Sequence, residues 1–528
     1  MNGDASSLPF LIGNRLGLNS VQLSPHNGFR IYKMDLSRLL YFSGMDDIRY
    51  VEFPEELMTP EEGCLAFSEL ITKFKWRLQI KIVLLPSDSP ELSQRLHLLE
   101  NVMILSQADL KKVAESRNVT QPLRDLFRTQ LSPNRLVGYQ YNGAVTGNRF
   151  FGRESQLGAI LQRPDISYLV TGTRMSGKTS LLMEAKRRLH ELDSHDASVP
   201  PNKIYVDCKR YSTFAGLINT ILTEMDERSS FSNIARWESP QRWHVFYSYL
   251  HTFTSRHPDK RLYLFLDEYD QVLEIEKKND PRITWNFRAL YQANSDDKRK
   301  GIIQFVIAGS KDLAIKAAQR ESPFYNFVED CRLSNFDLGT ISALLQRPME
   351  DLGFKIPDPP LIAQELLRES AGRPSSVQFI CYYLVKNLLE AKKKVITNAE
   401  LREVVQGPLY LQYYDKTLHE NTDTLQRFIL ATHSKGDERR ITFSREDIIS
   451  QLENFGVYVD TAKLIHSLED LVNSGFLVHD ERSAGELRYV LSIPVIKRIF
   501  RQSSLDTFIK LMLNQGIAFR VEGGLTTL

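Results

Sequence analysis

The chain has few cysteines for its length: Cys64, Cys208, Cys331 and Cys381 are scattered over 528 residues, with no CxxC pair and no Cys/His ligand spacing. That scatter argues against a disulfide framework and against a zinc site, and reads as small buried hydrophobes in a reducing, cytoplasmic setting. No apolar stretch approaches the ~20 residues that span a bilayer, and the longer runs, such as Ile80 to Leu85, are strand-sized. Met1 to Ser20 lacks the basic start, apolar run and small-residue cleavage site of a secretory signal. An excess of one charge is missing too. With 67 basic and 65 acidic residues the formal net charge is +2, too little for a global field that holds a nucleic-acid backbone. Nucleic-acid binding would need a local patch.

What remains is ordinary globular material, 42% hydrophobic and 25% charged, so burial is feasible throughout. Single cores stop growing near ~250–300 residues, and a chain of this length is expected to divide into three domains or more. Over residues 1–131 short β-rich runs (Phe29 to Met34, Ile48 to Phe53, Ile80 to Leu85, Val102 to Leu105) alternate with helical Thr59 to Phe74 and Glu91 to Leu99, which predicts a small α/β domain. Residues 132–149, rich in turn formers and without a period, read as a linker. From 150 to 336 the strands Tyr168 to Val170, Ile204 to Val206, Leu262 to Leu266 and Ile303 to Ala308 alternate with helices, the order that builds a parallel sheet. Residues 337–417 read as a helical lid. Residues 418–503, three helices followed by the strands Phe476 to Asp480 and Leu487 to Ser492, read as a winged helix. The tail, 504–528, is too short for a further domain. The predicted class is therefore α/β: a P-loop NTPase parallel sheet with a helical lid and a winged helix, preceded by a small α/β domain.

The chemistry concentrates after the strand at 168–170, which runs into TGTRMSGKTS and then a helical LLMEAKRRLH. This is the full G-x-x-x-x-G-K-T pattern in its required strand–loop–helix context. Gly172, Thr173, Arg174, Met175, Ser176 and Gly177 form a loop whose backbone N–H groups can point at phosphate oxygens, and Lys178, Thr179 and Ser180 open a helix with its positive end toward them. Lys178 supplies charge for the β/γ-phosphates. Thr179 offers a hydroxyl to Mg²⁺, a hard, oxygen-seeking cation. The apolar strand in RLYLFLDEYD ends at Asp267 and Glu268, the Walker B arrangement, with Asp267 for the metal shell and Glu268 to orient or deprotonate the attacking water. Taken alone that pair could be a solvated acidic turn; coupled to the P-loop it points to ATP or ADP with Mg²⁺. Ser310, at the carboxyl edge of GIIQFVIAGS, is either a sensor for the γ-phosphate or a simple turn former.

Together FFGRESQL at 150–157, the Walker pair, FVIAGS, SPFYN at 322–326 and SAGRPSSVQFICYYLV at 370–385 resemble the STAND class of P-loop ATPases, relatives of AAA+ enzymes that include NACHT and NB-ARC switch proteins. The resemblance runs from about Phe150 to Arg498 and is nearest to bacterial members that begin with FFGRE. It implies that the entry segment Gly152, Arg153 and Glu154 packs near the purine and that Gly372, Arg373 and Pro374 of the lid touch the nucleotide. It also implies a slow ATPase whose ADP/ATP state controls conformation, a protein partner or self-assembly. Arg288 could serve a neighbouring copy in a ring, although a surface ion pair is the commoner fate of a helical Arg. The alternative is a DNA-acting AAA+ motor or loader; against it stand Asp460, Glu469 and Asp470 on the predicted recognition helix, balanced there by Lys463 alone. Gln79–Ile80–Lys81 has the form of a nuclease tripeptide without the upstream Pro-Asp strand and reads as an ordinary amphipathic strand. Sensor, effector and docking roles stay open for residues 1–131.

Overall fold

The computed structural model describes residues 8–9, 20–37, 39–54, 59–85, 89–192, 202–225, 239–257, 260–278, 282–296, 303–434, 442–480, 487–501 and 503–520. Nearly all of the N-terminal stretch inspected for a targeting signal lies outside them. Among the described residues no helix is long and apolar enough to cross a membrane.

The first sheet is ordered β1 (Ser20–His26), β2 (Phe29–Met34), β3 (Ile48–Glu52), β4 (Lys81–Leu84), β5 (Val102–Leu105). Its first three strands form an antiparallel meander and the last two run parallel to β3. Asn27 and Gly28, both at positive φ, make the tight β1–β2 turn that the right-handed strand twist favours. Helices α1 (Pro60–Lys73), with its Thr59/Glu62 capping box, and α2 (Pro90–His97) cover one face, meeting Val51, Val83 and Ile104. Helices α3 (Gln107–Glu115) and α4 (Thr120–Gln130) cover the other, where Tyr50, Ile82 and Met103 point. A single turn, α5 (Pro133–Leu136), follows.

The second sheet is wholly parallel. Along the chain run α6 (Glu154–Gln162), β6 (Ser167–Thr171), α7 (Lys178–Leu192), β7 (Lys203–Asp207), α8 (Phe214–Met225), α9 (Ser239–Arg256), β8 (Leu262–Asp267), α10 (Asp270–Lys278), α11 (Ile283–Asp296), β9 (Ile303–Gly309), α12 (Lys311–Ala318) and β10 (Val328–Arg332). The spatial order is β10-β6-β9-β8-β7. β6 and β9 are buried along their whole length, which is why they read as unbroken apolar runs. The edge strand β10 is mostly exposed, and its polar VEDCR carries no such signal. The sheet is a parallel P-loop-type sheet, with α6 and α7 on one face and α8 to α12 on the other.

Five helices follow: α13 (Leu338–Leu352), α14 (Pro359–Ser370), α15 (Pro374–Glu390), α16 (Asn398–Gln406) and α17 (Pro408–Asn421). The winged helix comprises α18 (Thr424–Thr432), α19 (Arg445–Asn454), β11 (Val457–Val459), α20 (Thr461–Asn473) and the antiparallel pair β12 (Leu477–His479) and β13 (Tyr489–Leu491), with α21 (Pro494–Phe500) behind it. Read from the sequence as a mere tail, the stretch after Ser503 instead forms α22 (Leu505–Asn514), which buries Ile509 and Met512, and β14 (Ala518–Arg520), which pairs with β11.

The stretch read as a linker is packed in its middle, where Leu136 to Tyr139 are buried. One continuous apolar core joins the first sheet, the lid and the winged helix, and Leu136, Val137 and Tyr139 belong to it. Pro348 stands inside α13, where it has no N–H to give the carbonyl one turn back. The buried Tyr139 hydroxyl donates there, 3.1 Å from the Leu344 carbonyl oxygen and 3.2 Å from that of Leu345. One turn on, the buried carboxylate of Asp351 accepts from the Tyr41 N–H at 2.7 Å and pairs with Arg124 at 2.6 Å. The first domain is thus fastened to the lid. Replacing Tyr139 by Phe should leave the Leu344 carbonyl unpaired in the core and destabilise the chain by ~1–3 kcal/mol in urea unfolding; an unchanged midpoint and slope would refute the assignment.

Candidate nucleotide site

The carboxyl end of β6 delivers the glycine loop against the N-terminus of α7. At Gly172 an added Cβ would stand 2.6 Å from Ser176 Oγ and 3.2 Å from the Leu333 carbonyl oxygen, so a larger residue would force Ser176 to move. Gly177 has φ +96° and Met175 φ +63°, both left-handed. The Lys178 ammonium donates to the carbonyl oxygens of Gly172 and Thr173, each at 3.1 Å. Burial draws its pKa below the usual lysine range, while Glu268, Asp267 and Asp270 pull it back up.

Across the loop, Asp267 ends β8 and is only 2% exposed. Its Oδ2 accepts from Thr179 Oγ1 at 2.7 Å and from the Tyr205 hydroxyl at 3.0 Å, and its Oδ1 accepts from the Glu268 N–H at 2.9 Å. Burial and the Asp267 charge push the Tyr205 hydroxyl far above the ordinary phenol range, which keeps it a donor. Glu268 sits at φ +52°, a conformation non-glycine residues adopt rarely and mostly at functional sites, and its side chain is exposed beside the loop. A buried carboxylate next to a threonine hydroxyl, below an amide-lined loop with one ammonium, suits a hard divalent cation and a polyphosphate. The buried Ser176 Oγ, unpartnered within the protein, adds a free hydroxyl to the same cradle.

Ser310 caps α12, accepting the Leu313 N–H at 3.4 Å, and donates through Oγ to Asp270 Oδ1 at 2.6 Å while its N–H reaches Oδ2 at 2.8 Å. Its hydroxyl proton is therefore committed to Asp270, a residue the motif reading passed over although it closes the same DEYD. Ser180 faces the linker, accepting the Val145 N–H at 3.0 Å. Arg174 is exposed and forms an ion pair with Glu420 of α17 at 3.4 Å.

The two flanking motifs meet behind the loop. Arg153 is 4% exposed; it donates to the Ser176 carbonyl at 3.3 Å and to the Ser334 carbonyl, and it stacks on Phe336 at 4.9 Å. The Phe336 N–H donates to the Gly372 carbonyl at 2.7 Å. Gly372 has φ +70°, and a Cβ there would stand 2.2 Å from the Phe336 carbonyl oxygen. Arg373, expected to face the nucleotide, is instead engaged with the winged helix: it stacks on Phe476 at 4.5 Å and donates to the Ser474 carbonyl at 3.3 Å. Pro374 opens α15. Gly152, at φ +69°, packs against Thr340 of the lid. Arg288 lies over the exposed Trp285 ring at 5.2 Å on α11.

Residues 163–314 match the family described as AAA domain. No match is found among curated proteins. Solved structures similar to the chain include the ORC2 protein of Aeropyrum pernix in its ADPNP and ADP complexes, 13% identical over 71% of this chain and 98% of that one, with a TM-score of 0.49. The ORC1 protein of the same organism in complex with DNA is 14% identical over 69% and 94%, TM-score 0.40. The RuvB Holliday junction branch migration motor of Thermotoga maritima is 14% identical over 69% and 100%, TM-score 0.36.

Lys178→Ala removes the one ammonium in the loop and should weaken retention of magnesium–ATP by at least ~2 kcal/mol, the worth of a hydrogen bond to a charged group. Equilibrium dialysis reads this directly, and unchanged retention would dismiss the loop as the nucleotide site.

Proposed function

We propose, from the premise that this chain carries an AAA-type P-loop ATPase domain, that it binds ATP with Mg²⁺, hydrolyses it slowly, and uses the nucleotide state to hold or release the winged helix. One observation supports this reading above others: a continuous set of contacts leads from the loop (Ser176) through Arg153, Phe336 and Gly372 to Arg373 and its partners Phe476 and Ser474 in the winged helix. Arg332 adds a bond to Asn473 at 3.1 Å, and Asn335 another to the Ala371 carbonyl at 2.9 Å. A loop that shifts when phosphates arrive moves the Ser176 carbonyl, and with it a buried guanidinium whose other contacts, Ser334 and Phe336, lie between β10 and α13.

The roles follow from placement. Amides of residues 172–177 and the Lys178 ammonium take the phosphates once Lys178 leaves its own loop carbonyls. Thr179 and Asp267 would hold Mg²⁺, which when bound neutralises phosphate charge. Glu268, exposed beside them, orients the attacking water and accepts its proton. For the switch to pass from mostly latched to mostly released, ATP and ADP must differ by ~5 kcal/mol in their preference for the two states.

The STAND-like signal-transduction role, with a protein partner or self-assembly as output, rests on the motif resemblance from Phe150 to Arg498. A nucleic-acid partner is the second reading and stands at least level with it. In a winged helix the N-terminal half of the recognition helix is the part that enters a groove. The latch uses only the far end of α20, around Asn473 and Ser474, while Thr461, Lys463 and His466 near its start are exposed. Asp460 and Glu469 on the same helix weaken that face for phosphates.

Glu268→Gln should keep magnesium–ATP binding and lower turnover ~100-fold or more. It should also hold the particle in its ATP form, read by light scattering against the ADP-loaded wild type. Equal turnover in variant and wild type refutes the role of Glu268. Strong, salt-dependent stimulation of hydrolysis by DNA replaces the signalling switch by the nucleic-acid engine.

A further inference from the structure

We infer that Tyr205 is a positioning residue for the metal-holding carboxylate, an inference that rests on the nucleotide reading of the site. Tyr205 belongs to no phosphate-binding motif. It lies on β7, in register with Phe265 of β8, and its hydroxyl reaches past the strand end to Asp267 Oδ2 at 3.0 Å. The same oxygen accepts Thr179 Oγ1 at 2.7 Å. The two donors differ in what they can do when a cation binds. Thr179 has one proton and a lone pair, and as a ligand it must fit both Asp267 and the cation at once. Tyr205 is not a candidate ligand in this arrangement, so its hydroxyl proton is left to Asp267.

Asp267 is almost fully buried, and a desolvated carboxylate turns toward whichever donors surround it. With the Glu268 N–H on Oδ1, the Tyr205 hydroxyl closes the set that sets the plane of the carboxylate. Without the phenol, Oδ2 depends on Thr179 alone, and the carboxylate can swing with the threonine rotamer. Partners that orient metal ligands from behind typically account for 10–100-fold in metal affinity.

The test uses the full chain, a fluorescent ATP analogue and no turnover readout. Tyr205→Phe keeps the ring, which packs against the apolar core around β8, and removes only the hydroxyl. The Mg²⁺ concentration for half-maximal retention of the analogue should rise about tenfold. Retention in EDTA and the thermal midpoint in EDTA should match the wild type. In an Asp267→Asn background the same change at Tyr205 should have no further effect on the Mg²⁺ midpoint, as a coupling through that carboxylate requires. An unchanged Mg²⁺ midpoint overturns the inference, and so does an equal loss of retention in EDTA, which would mark a purely structural tyrosine. Wild-type protein that retains the analogue without any dependence on Mg²⁺ overturns the reading of the site, and this inference with it.

Discussion

The arrangement depends most on one buried cation. Arg153 sits with almost no exposure and, among the described residues, no carboxylate hydrogen-bonded to it; its two terminal nitrogens donate to the carbonyls of Gly152, Ser176 and Ser334, its Nε lies buried without a partner, and its plane stacks on Phe336. Burial draws its pKa down, yet a guanidinium stays charged in proteins. A charge held this way is costly to leave without acceptors, so the three segments that supply them are obliged to stay together. Those segments are the approach to α6, the glycine loop, and the strand that leaves the sheet for the lid. The glycine loop on one side and the start of the lid on the other therefore share a single side chain.

The second constraint is that the lid is not free. The core that fills it continues into the first α/β domain on one side and the winged helix on the other, while the ATPase sheet has its own two apolar layers. The mechanical division is thus between the ATPase sheet and everything else. Many of the connections across it are polar: Arg153, the Phe336–Gly372 bond, Asn335, Arg332, the Arg174–Glu420 ion pair, and the bonds from the linker to Ser180 and Glu184 on α7, while Phe151 and Phe336 add apolar contacts to the lid's core. Polar contacts of this kind can exchange partners with little loss, whereas an apolar core cannot open in part.

Much of this was legible in the sequence, and the rest was hidden for identifiable reasons. Strands buried on both faces, β6, β8 and β9, announce themselves as apolar runs ending at Gly172, Asp267 and Ser310, and the P-loop follows from spacing alone. Edge strands do not. β1 and β10 are largely exposed, and their alternation is too weak to separate from loop. The stretch 132–149 looked like a linker because turn formers were counted, whereas its packing depends on Pro348 and Gln378 more than 200 residues later. Arg373 illustrates the limit of motif transfer. The resemblance located the residue, but its side chain is claimed by Phe476, a contact no local pattern encodes. Tyr205 and Asp270 were missed for a related reason: each acts through a residue on a neighbouring strand or loop, and pairing between strands has no signature in one sequence.

The two bonds that Lys178 makes within its own loop have a consequence. Its ammonium already satisfies two carbonyls of the loop, so the loop holds its curve without help, and a ligand meets a formed cradle instead of ordering a floppy one. The gain on binding is the difference between those carbonyls and whatever replaces them. A sugar or base by itself cannot outbid them, whereas a doubly charged phosphate chain can. On the proposed nucleotide reading, such a loop favours polyanions over bare nucleosides, before any group that recognises adenine is considered.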